Sequence, residues 1–387
     1  MRNNSYTIVD RLKSCYKLPR KSNDLQLRDR INMVKMKLQR KIAALAIVVA
    51  ASLVATSCSS SSDEASSDKP KVTLIVKDQI NAFFIAMVKG AEKKATEVGV
   101  DLTVSSAKQE GDDASQIAAI ENAISAKHAG ILITPMSVNV NSAITKARDA
   151  GLFVISLDTP TDPADIVDIT FATDNCEAGR LIGQWAAAKL AGKKAVIGLI
   201  DLFDDRMVSV DYCRDNGFLE GMGIDVKDPK IMGDEAKKGK YSGGDYEIVG
   251  NGAGKGAESE SRSVMERLLS KNKNINVVYT INEPTAFGAC AALKAAGVKA
   301  LVVSVDGGRA GIEGIKSGCI GATSQQYPLL MADLGVQAIF DIVKSGTKPE
   351  NSAGLDFFNT GVKLITDDPQ AGVSSESTQY GLDNAWG

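Results

Sequence analysis

The sequence predicts an α/β protein with two doubly wound lobes, each built on a parallel sheet. Two observations carry this prediction: short apolar segments alternate with amphipathic segments from Lys71 onward, and the alternation begins again after residues 171–174. A chain of 387 residues is long enough for two or three domains. An apolar content of 44% with a charged content of 24% excludes a polytopic membrane protein and a disordered chain.

The predicted first lobe consists of four short apolar strands joined by helices. The helices carry apolar residues three or four positions apart, as Ile117, Ile120 and Ile124 do. Apolar strands joined by helices are typical of a parallel sheet that is covered on both faces. The strands are Lys71–Lys77, Val100–Ser105, Gly130–Thr134 and Leu152–Asp158, and the helices are Ala82–Val98, Ala114–Lys127 and Asn141–Ala150.

The predicted second lobe repeats this pattern. Its strands are Ala195–Asp201, Asn276–Thr280, Ala300–Asp306 and Cys319–Thr323, and its helices are Cys176–Leu190, Tyr212–Met222, Ser259–Lys271 and Thr285–Ala296. Residues 226–256 are rich in Gly and Lys and show little periodicity. We therefore expect this segment to be a long surface loop or a hairpin insertion.

The N-terminal segment has the parts of an export signal. Four basic residues between positions 35 and 41 precede an apolar run, Ile42–Ala55, that is too short to cross a membrane as a stable helix. Residues 53–58 resemble the lipobox of bacterial lipoproteins, in which the cysteine, here Cys58, becomes the lipidated first residue. An uncleaved N-terminal anchor is the alternative interpretation.

The export signal sets the expected limits of the mature chain. We expect residues 1–57 to be removed, with translation starting at Met33 or Met36. Residues 58–70, which begin with Cys58 and are rich in Ser and Asp, are expected to be a flexible linker from the membrane to the first lobe.

Charge is distributed unevenly between these two parts. Residues 1–57 hold 12 Lys and Arg against 3 Asp and Glu, whereas residues 58–387 hold 33 against 44. An acidic mature chain argues against nucleic-acid binding.

With Cys15 removed and Cys58 lipidated, four cysteines remain, and no CxxC pair indicates a zinc or redox site. Disulfides are permitted after export, but the spacing does not decide whether Cys176, Cys213, Cys290 and Cys319 form any, and unpaired buried thiols are the favoured expectation.

Polar residues follow the predicted strands where a parallel sheet binds ligands, at the carboxyl ends. Asp158 and Asp306 end two of the strands, and Asn282 follows a third. Carboxylates and amides bond sugar hydroxyls, and the rings of Phe83 and Phe84 suit the C–H face of a sugar. The alternative is that several of these residues only cap the helices that follow.

Six motifs at these positions occur in the order and spacing of one family. They are Asn-Ala-Phe-Phe (81–84), Ile-Ser-Leu-Asp (155–158), Thr-Asp-Asn (173–175), Ile-Asn-Glu-Pro (281–284), Val-Asp-Gly-Gly (305–308) and Ala-Thr-Ser-Gln-Gln-Tyr-Pro (322–328). Through them the chain from about residue 71 to 387 resembles the sugar-binding proteins of bacterial ABC importers, in the ribose/fructose-type cluster with the type I periplasmic-binding-protein fold. Residues 324–328 and 381–387 look most like the fructose-importing subgroup.

The resemblance implies that both lobes contact the ligand. It places two phenylalanines as a platform or lid on the sugar ring. The residues implied are Asn81, Phe83, Phe84 and Asp158 from the first lobe and Asn282, Asp306 and Gln326 from the second.

Ribose-type binders also offer an Arg from the second lobe. Tyr212 aligns with that Arg, Arg214 aligns with the Arg that follows it, and Arg206 is a further candidate.

The resemblance also implies three crossings between the lobes, near Asp174, Tyr327 and Gly361, which make a hinge that closes on the ligand. The expected limits are 71–174 with 327–360 for the N-terminal lobe and 175–326 with 361–387 for the C-terminal lobe.

These observations predict an extracytoplasmic, lipid-anchored solute-binding protein that captures a monosaccharide such as fructose or ribose and delivers it to the permease subunits of an ABC transporter. We expect a monomer without catalytic residue, metal or cofactor. Two alternatives stay open: a subunit that presents a sugar or autoinducer to a membrane receptor, and an extracellular carbohydrate-acting enzyme that uses Asp158 and Asp306 as paired carboxylates.

Overall fold

The computed structural model describes residues 69–387 of the chain. The predicted signal segment, Cys58 and most of the predicted linker lie outside the described residues. No helix within residues 69–387 is both long enough and apolar enough to cross a membrane.

Strands and helices alternate along most of the described chain. The strands are β1 (Lys71–Val76), β2 (Asp101–Ser106), β3 (Gly130–Ile133), β4 (Phe153–Leu157), β5 (Ile169–Ala172), β6 (Ala195–Asp201), β7 (Lys238–Tyr241), β8 (Gly244–Ala253), β9 (Val277–Thr280), β10 (Leu301–Asp306), β11 (Ala322–Gln325), β12 (Phe358–Asn359) and β13 (Lys363–Ile365). The helices are α1 (Ala82–Val98), α2 (Asp113–Ser125), α3 (Asn141–Asp149), α4 (Asn175–Leu190), α5 (Ser209–Met222), α6 (Glu258–Lys271), α7 (Glu283–Ala296), α8 (Arg309–Lys316), α9 (Pro328–Ser345) and α10 (Thr378–Asp383).

The strands form two sheets. The first has the order β12-β5-β4-β3-β1-β2 and is parallel throughout. The second has the order β13-β11-β10-β9-β6-β8-β7, and its outermost strands β13 and β7 are antiparallel to their neighbours. The remaining pairs of the second sheet are parallel.

Helices cover both faces of each sheet, as the alternation of side chains along the strands shows. In β3, Leu132 packs with α1 and α9, whereas Ile131 packs with α2 and α3. In β9, Val277 packs with α4 and α5, whereas Val278 packs with α6 and α7. The predicted pair of doubly wound lobes is therefore confirmed.

The chain passes between the sheets three times. After β5 of the first sheet it enters α4, which packs on β10 and β11 of the second. After β11 it enters α9, which packs on α1 and on β3, β4 and β5 of the first. After β12 of the first sheet it continues into β13 of the second.

The interpretation of residues 226–256 needs correction. Part of the segment is the predicted hairpin, formed by β7 and β8. However, β8 is ten residues long and pairs in parallel with β6, so it belongs to the sheet rather than to a surface insertion. Its glycines, among them Gly250 and Gly252, hide the apolar pattern that marks the other strands.

Helices α4 and α5 pack with their backbones in contact, since both carry glycine at the crossing. A Cβ atom at Gly179 would lie 2.2 Å from the carbonyl oxygen of Arg214, and one at Gly217 would lie 2.2 Å from that of Cys176. Larger side chains at these positions would force the helices apart.

Two disulfides form in the second lobe. Cys176–Cys213 joins α4 to α5 at this crossing, and Cys290–Cys319 joins α7 to the segment before β11. The expectation of unpaired thiols is therefore wrong. Both bridges connect residues far apart in sequence, which spacing alone does not reveal.

Candidate binding site

The carboxyl ends of strands from both sheets enclose a small inner pocket of about 40 Å³. Eight of the ten sequence-predicted ligand residues line it, namely Asn81, Phe83, Phe84, Asp158, Arg214, Asn282, Asp306 and Gln326. Five further residues complete the lining, namely Lys77, Glu110, Leu202, Val210 and Ile281.

Asp158 and Asp306 both adopt positive φ angles, of 66° and 143°, at the ends of β4 and β10. Such angles are unfavourable for residues with a Cβ atom and are concentrated at functional sites. Neither carboxylate caps the helix that follows it in the chain. Asp158 Oδ2 accepts from Thr159 Oγ1 at 2.8 Å, whereas Asp306 Oδ1 accepts from Gln326 Nε2 at 2.8 Å and its Oδ2 accepts from the amide of Glu283, at the start of α7, at 3.5 Å. The capping alternative therefore does not account for these two residues.

The two asparagines do cap helices. Asn81 Oδ1 accepts from the amide of Phe83 at the start of α1, and Asn282 Oδ1 accepts from the amide and the hydroxyl of Thr285 at the start of α7. Capping occupies the side-chain oxygen and fixes the rotamer. The caps fix both side chains at the pocket wall, where the Nδ2 of Asn282 donates to the carbonyl of Gly256 at 3.4 Å.

Asp306 belongs to a buried carboxyl pair with Glu283. The Glu283 carboxylate accepts from the amides of Gly307 and Gly308 and from the hydroxyl of Thr323, at 2.8 to 3.1 Å. Desolvation raises the pKa of Asp306 to about 6, although Arg214 and the bond from Gln326 lower it. Desolvation and the neighbouring Asp306 raise the pKa of Glu283 well above its ordinary range.

Arg214 supplies a buried guanidinium to the pocket. Its Nε donates to Asn175 Oδ1 at 2.7 Å and its Nη1 to the carbonyl of Ile281 at 3.0 Å, while Nη2 lies 4.0 Å from Asp158 Oδ1. Asn175, the first residue of α4, thus orients the cation. The motif at 173–175 drew attention to this position, but not to its contact with Arg214.

Arg206 and Tyr212 do not line the inner pocket; both lie beside a neighbouring cavity. Arg206 Nη1 donates to the carbonyl of Gly111 at 3.0 Å and lies 3.4 Å from Asp113 Oδ2, so Arg206 joins the second lobe to the first. Tyr212 lies in the first turn of α5, and Arg214 of the same helix takes the pocket-facing position.

An ion pair that the sequence analysis did not anticipate lies in the first-lobe side of the pocket. Lys77, only 2% exposed, lies 3.5 Å from Glu110 Oε1, and its Nζ is 6.0 Å from the Phe84 ring centre. Desolvation raises the pKa of Glu110. In the sequence, Lys77 is marked only by its position at the end of an apolar strand. Many exposed lysines occupy the same position, so the sequence does not indicate that Lys77 is buried in the pocket.

Aromatic side chains form the apolar part of the wall. The rings of Phe83 and Phe84 meet edge to face at 5.3 Å, and Trp386 meets Phe83 in the same manner at 5.3 Å. Trp386 Nε1 donates to the carbonyl of Gln326, which ties Trp386 to a residue of the pocket. The Gln326 Oε1 atom is buried and has no hydrogen-bond partner among residues 69–387, so it can accept from a ligand hydroxyl.

The pocket thus combines carboxylates, amides, one guanidinium and aromatic rings in a desolvated space. This set makes directional bonds to several hydroxyls while covering an apolar face. Within residues 69–387 no cluster of three or more His, Cys, Asp or Glu side chains is placed to hold a metal ion.

Comparison with known proteins gives a family match over most of the chain. The model of the family described as "Periplasmic binding protein domain" matches residues 72–348. The ribose import binding protein RbsB of Haemophilus influenzae is 28% identical over 318 residues, covering 82% of this chain and 98% of that protein. The D-ribose/D-allose-binding protein of Pseudomonas aeruginosa is 27% identical, covering 82% of this chain and 96% of its own.

Solved structures show the same fold. An ABC transporter periplasmic solute-binding protein of Actinobacillus succinogenes with bound D-allose superposes with a TM-score of 0.65 at 24% identity, covering 77% of this chain and 98% of that one. A carbohydrate transporter solute-binding protein of Agrobacterium radiobacter in complex with D-arabinose gives a TM-score of 0.67 at 24% identity, covering 78% of this chain and 96% of that one.

Proposed function

The chain belongs to the periplasmic binding protein family, and from that premise we propose that it captures a monosaccharide in the inner pocket and delivers it to the permease of an ABC transporter. The observation that carries the proposal is a desolvated pocket between two lobes with Asp158 on one side and Asp306 on the other. Relatives named for ribose, allose and apiose support a sugar of this size. The likeness of residues 324–328 and 381–387 to the fructose-importing subgroup adds fructose to the candidates.

We assign ligand contacts to the eight predicted residues that line the inner pocket, together with Lys77 and Glu110. Asp158, Asp306 and Gln326 accept from sugar hydroxyls, while Arg214 and the two asparagine amides donate. Phe83 and Phe84 cover the apolar face of the ring. Arg206 is reassigned to a contact between the lobes, since its guanidinium bonds Gly111 of the first lobe.

Native mass spectrometry tests the proposal directly. Protein purified without added sugar is expected to carry a bound molecule of monosaccharide mass, or to gain that mass when D-ribose, D-allose or D-fructose is added. Absence of binding across a panel of aldoses and ketoses would reject a sugar-binding function.

The lobes are proposed to close on the ligand about the three crossing segments, with the lobe limits 71–174 plus 327–360 and 175–326 plus 361–387. Neither lobe alone encloses the pocket, so closure is needed to desolvate the sugar. Small-angle scattering is expected to give a smaller radius of gyration with saturating sugar than without it. An unchanged radius would argue against the hinge.

We propose that the protein is held at the outer face of the membrane by a lipid on Cys58. Its family implies an extracytoplasmic location, and residues 53–58 resemble a lipobox. Replacement of the lipidated residue in Cys58→Ser is expected to release the protein into the medium or periplasm, because acyl chains supply the membrane affinity. Full retention of the variant on membranes would favour an uncleaved anchor instead.

Among the alternatives, a sensor subunit would use the same pocket and differ only in its membrane partner. The family consists of binding proteins rather than enzymes, which disfavours a carbohydrate-acting enzyme. Sugar uptake by cells that lack this protein distinguishes an importer component from a sensor subunit. Uptake is lost if the protein is an importer component, whereas loss of a sensor subunit leaves uptake intact.

A further inference from the structure

A second, larger cavity opens beside the inner pocket. It encloses about 580 Å³ and shares four lining residues with the inner pocket, namely Asn81, Glu110, Asn282 and Asp306. We call it the outer cavity. The two spaces therefore adjoin at these four side chains.

The outer cavity differs from the inner pocket in chemistry. Apolar side chains provide much of its surface: Ile80, which is 81% exposed, faces it from the first lobe, and Pro284, Phe287 and Trp386 line it from the second. Its charged lining is mostly acidic, with Asp78, Glu110, Glu258, Glu260, Glu283 and Asp306 against Lys255 and Arg309. Such a surface favours an uncharged apolar group over a phosphate or a carboxylate.

The volumes of the two spaces also indicate a ligand that extends beyond the inner pocket. At about 40 Å³ the inner pocket has room for roughly three water molecules, which is less than one sugar ring fills, so a sugar bound there displaces its walls or extends into the outer cavity. The outer cavity lies within the range of roughly 300–1,000 Å³ that is usual for ligand sites. Elsewhere the lobes are joined by Arg206 to Gly111, by Ser209 Oγ to the Pro160 carbonyl at 2.6 Å, and by Lys230 to Asp162 at 2.7 Å. Arg206, Ser209 and Lys230 do not line the outer cavity, so a ligand extends outward where these contacts do not block it.

We propose that the protein binds a glycoside, with the sugar in the inner pocket and a second, uncharged ring in the outer cavity. This inference rests on the proposed sugar-binding function and deepens it by naming the ligand class. The sugar hydroxyls bond the carboxylates and amides of the inner pocket. The second ring lies against Ile80, Phe287 and Trp386, where burial of its apolar surface adds affinity.

The test compares methyl and phenyl glycosides of the same sugars. A panel of ribose, allose, fructose, arabinose, xylose, galactose and glucose, each as free sugar, methyl glycoside and phenyl glycoside, is screened by thermal shift and then measured by calorimetry. The methyl glycoside controls for loss of the anomeric hydroxyl. For at least one sugar, the phenyl glycoside is expected to bind at least tenfold more tightly than the methyl glycoside.

Two exposed helical alanines of the second lobe provide a matched pair of variants. Ala310, in α8, lines the outer cavity, whereas Ala295, in α7, does not. Ala310→Trp fills the cavity and is expected to reduce the phenyl-to-methyl affinity ratio to below threefold. Ala295→Trp is expected to leave that ratio at its parent value.

The outcomes separate this inference from the function on which it rests. If free sugars bind but no phenyl glycoside binds more tightly than its methyl counterpart, the ligand is a monosaccharide alone and the inference is overturned. If the phenyl-to-methyl affinity ratio stays at its parent value in Ala310→Trp, the inference is also overturned, because the second ring then does not lie in the outer cavity. If no member of the panel binds, the proposed sugar-binding function fails, and the inference fails with it.

Discussion

The two walls of the inner pocket differ in how completely hydrogen bonds within the protein fix their polar groups. The wall from the second lobe contains Arg214, held by Asn175 and Ile281, and Asp306, held by Gln326. The wall from the first lobe contains Asp158, which accepts from the neighbouring Thr159 and lies 4.0 Å from Arg214, and an ion pair of 3.5 Å between Lys77 and Glu110.

This difference indicates a division of roles. The second-lobe wall presents its donors and acceptors in fixed positions before the ligand arrives, so little order is lost on binding. We expect the first-lobe wall to complete its bonding when a ligand binds. We expect the second wall to contribute more to affinity, and the following measurements test that expectation.

The largest effect is expected from the two cleft aspartates. Asp306→Ala removes a ligand acceptor and leaves the amide of Gln326 without its partner. Asp158→Ala removes the acceptor, the bond from Thr159 and the carboxylate 4.0 Å from Arg214. An unsatisfied buried group costs roughly 1–3 kcal/mol, which corresponds to about tenfold to a hundredfold in affinity. Calorimetric titration with the sugar that the native protein retains measures the loss of affinity. We expect this loss to be about a hundredfold for Asp306→Ala and about tenfold for Asp158→Ala.

Asp204→Ala is the control for this series, since Asp204 is exposed and lies outside the inner pocket. It is expected to bind like the parent protein. Binding within threefold of the parent by both cleft variants would show that the ligand lies elsewhere, and a larger loss in Asp158→Ala than in Asp306→Ala would reverse the proposed order of the walls.

A smaller effect is expected from pH. Burial raises the pKa of Asp306 from its ordinary value of 3.8 to about 6, so the folded protein holds this proton more tightly than the unfolded chain does. The contribution of Asp306 to the free energy of unfolding therefore falls as pH rises from about 3.8 to 6. Sugar affinity changes in the opposite direction, because the ionised carboxylate accepts more strongly from hydroxyls. We expect about tenfold weaker binding at pH 5 than at pH 7.5.

Asp306→Asn and Glu110→Gln show which wall causes the pH dependence. If sugar affinity no longer depends on pH in Asp306→Asn, the titrating group lies in the second-lobe wall, as expected. If the dependence persists there and disappears in Glu110→Gln, it belongs to the first wall, where burial also raises the pKa of the Glu110 carboxyl.

The smallest effect is expected from the disulfides. Cys176 and Cys213 adjoin Asn175 and Arg214, so their bridge holds together the two helices that position the guanidinium. Replacing both cysteines by serine is expected to lower the melting temperature and to weaken sugar binding about threefold, or roughly 0.7 kcal/mol. Thermal unfolding and calorimetry measure the two effects.

The Cys290–Cys319 bridge is the matched control. It spans 29 residues against 37 for the first bridge, so similar losses of roughly 2–4 kcal/mol in the free energy of unfolding are expected from the two serine pairs. Only the Cys176–Cys213 pair is expected to change affinity. Equal affinities in both variants would show that the glycine-packed helices position Arg214 without the bridge.

Much of the fold follows from patterns within single segments. Apolar strands such as Ala195–Asp201 and amphipathic helices such as Ala82–Val98 are predicted with the bounds that the structure gives. Strands β5 and β8 are absent from the prediction, and β8 contains glycines where apolar side chains are usual. Their place in the sheets depends on partners distant in sequence, which periodicity does not reveal.

For the candidate site, polar residues at the ends of apolar strands were informative. Asp158 and Asp306 end strands and line the inner pocket, as their positions predict. Glu110, in contrast, follows a strand whose side chains alternate between exposed and half-buried, and its pairing with Lys77 is a tertiary contact. Tyr212 and Arg214 lie on one helix two residues apart, so only the orientation of that helix decides which side chain enters the pocket.

The pairing of β12 with β5 has a consequence for the order of folding. Phe358 pairs with Phe171, and α9 supplies Met331 and Val336 to the core of the first lobe. The edge of the first sheet therefore stays open until residues 358 and 359 have been synthesised, after all of the intervening residues of the second lobe. Contacts of such high sequence separation slow folding and expose apolar surface for longer. A nascent chain that stops before residue 328 lacks the helix that covers α1, so we expect such fragments to aggregate rather than to accumulate as a folded N-terminal half.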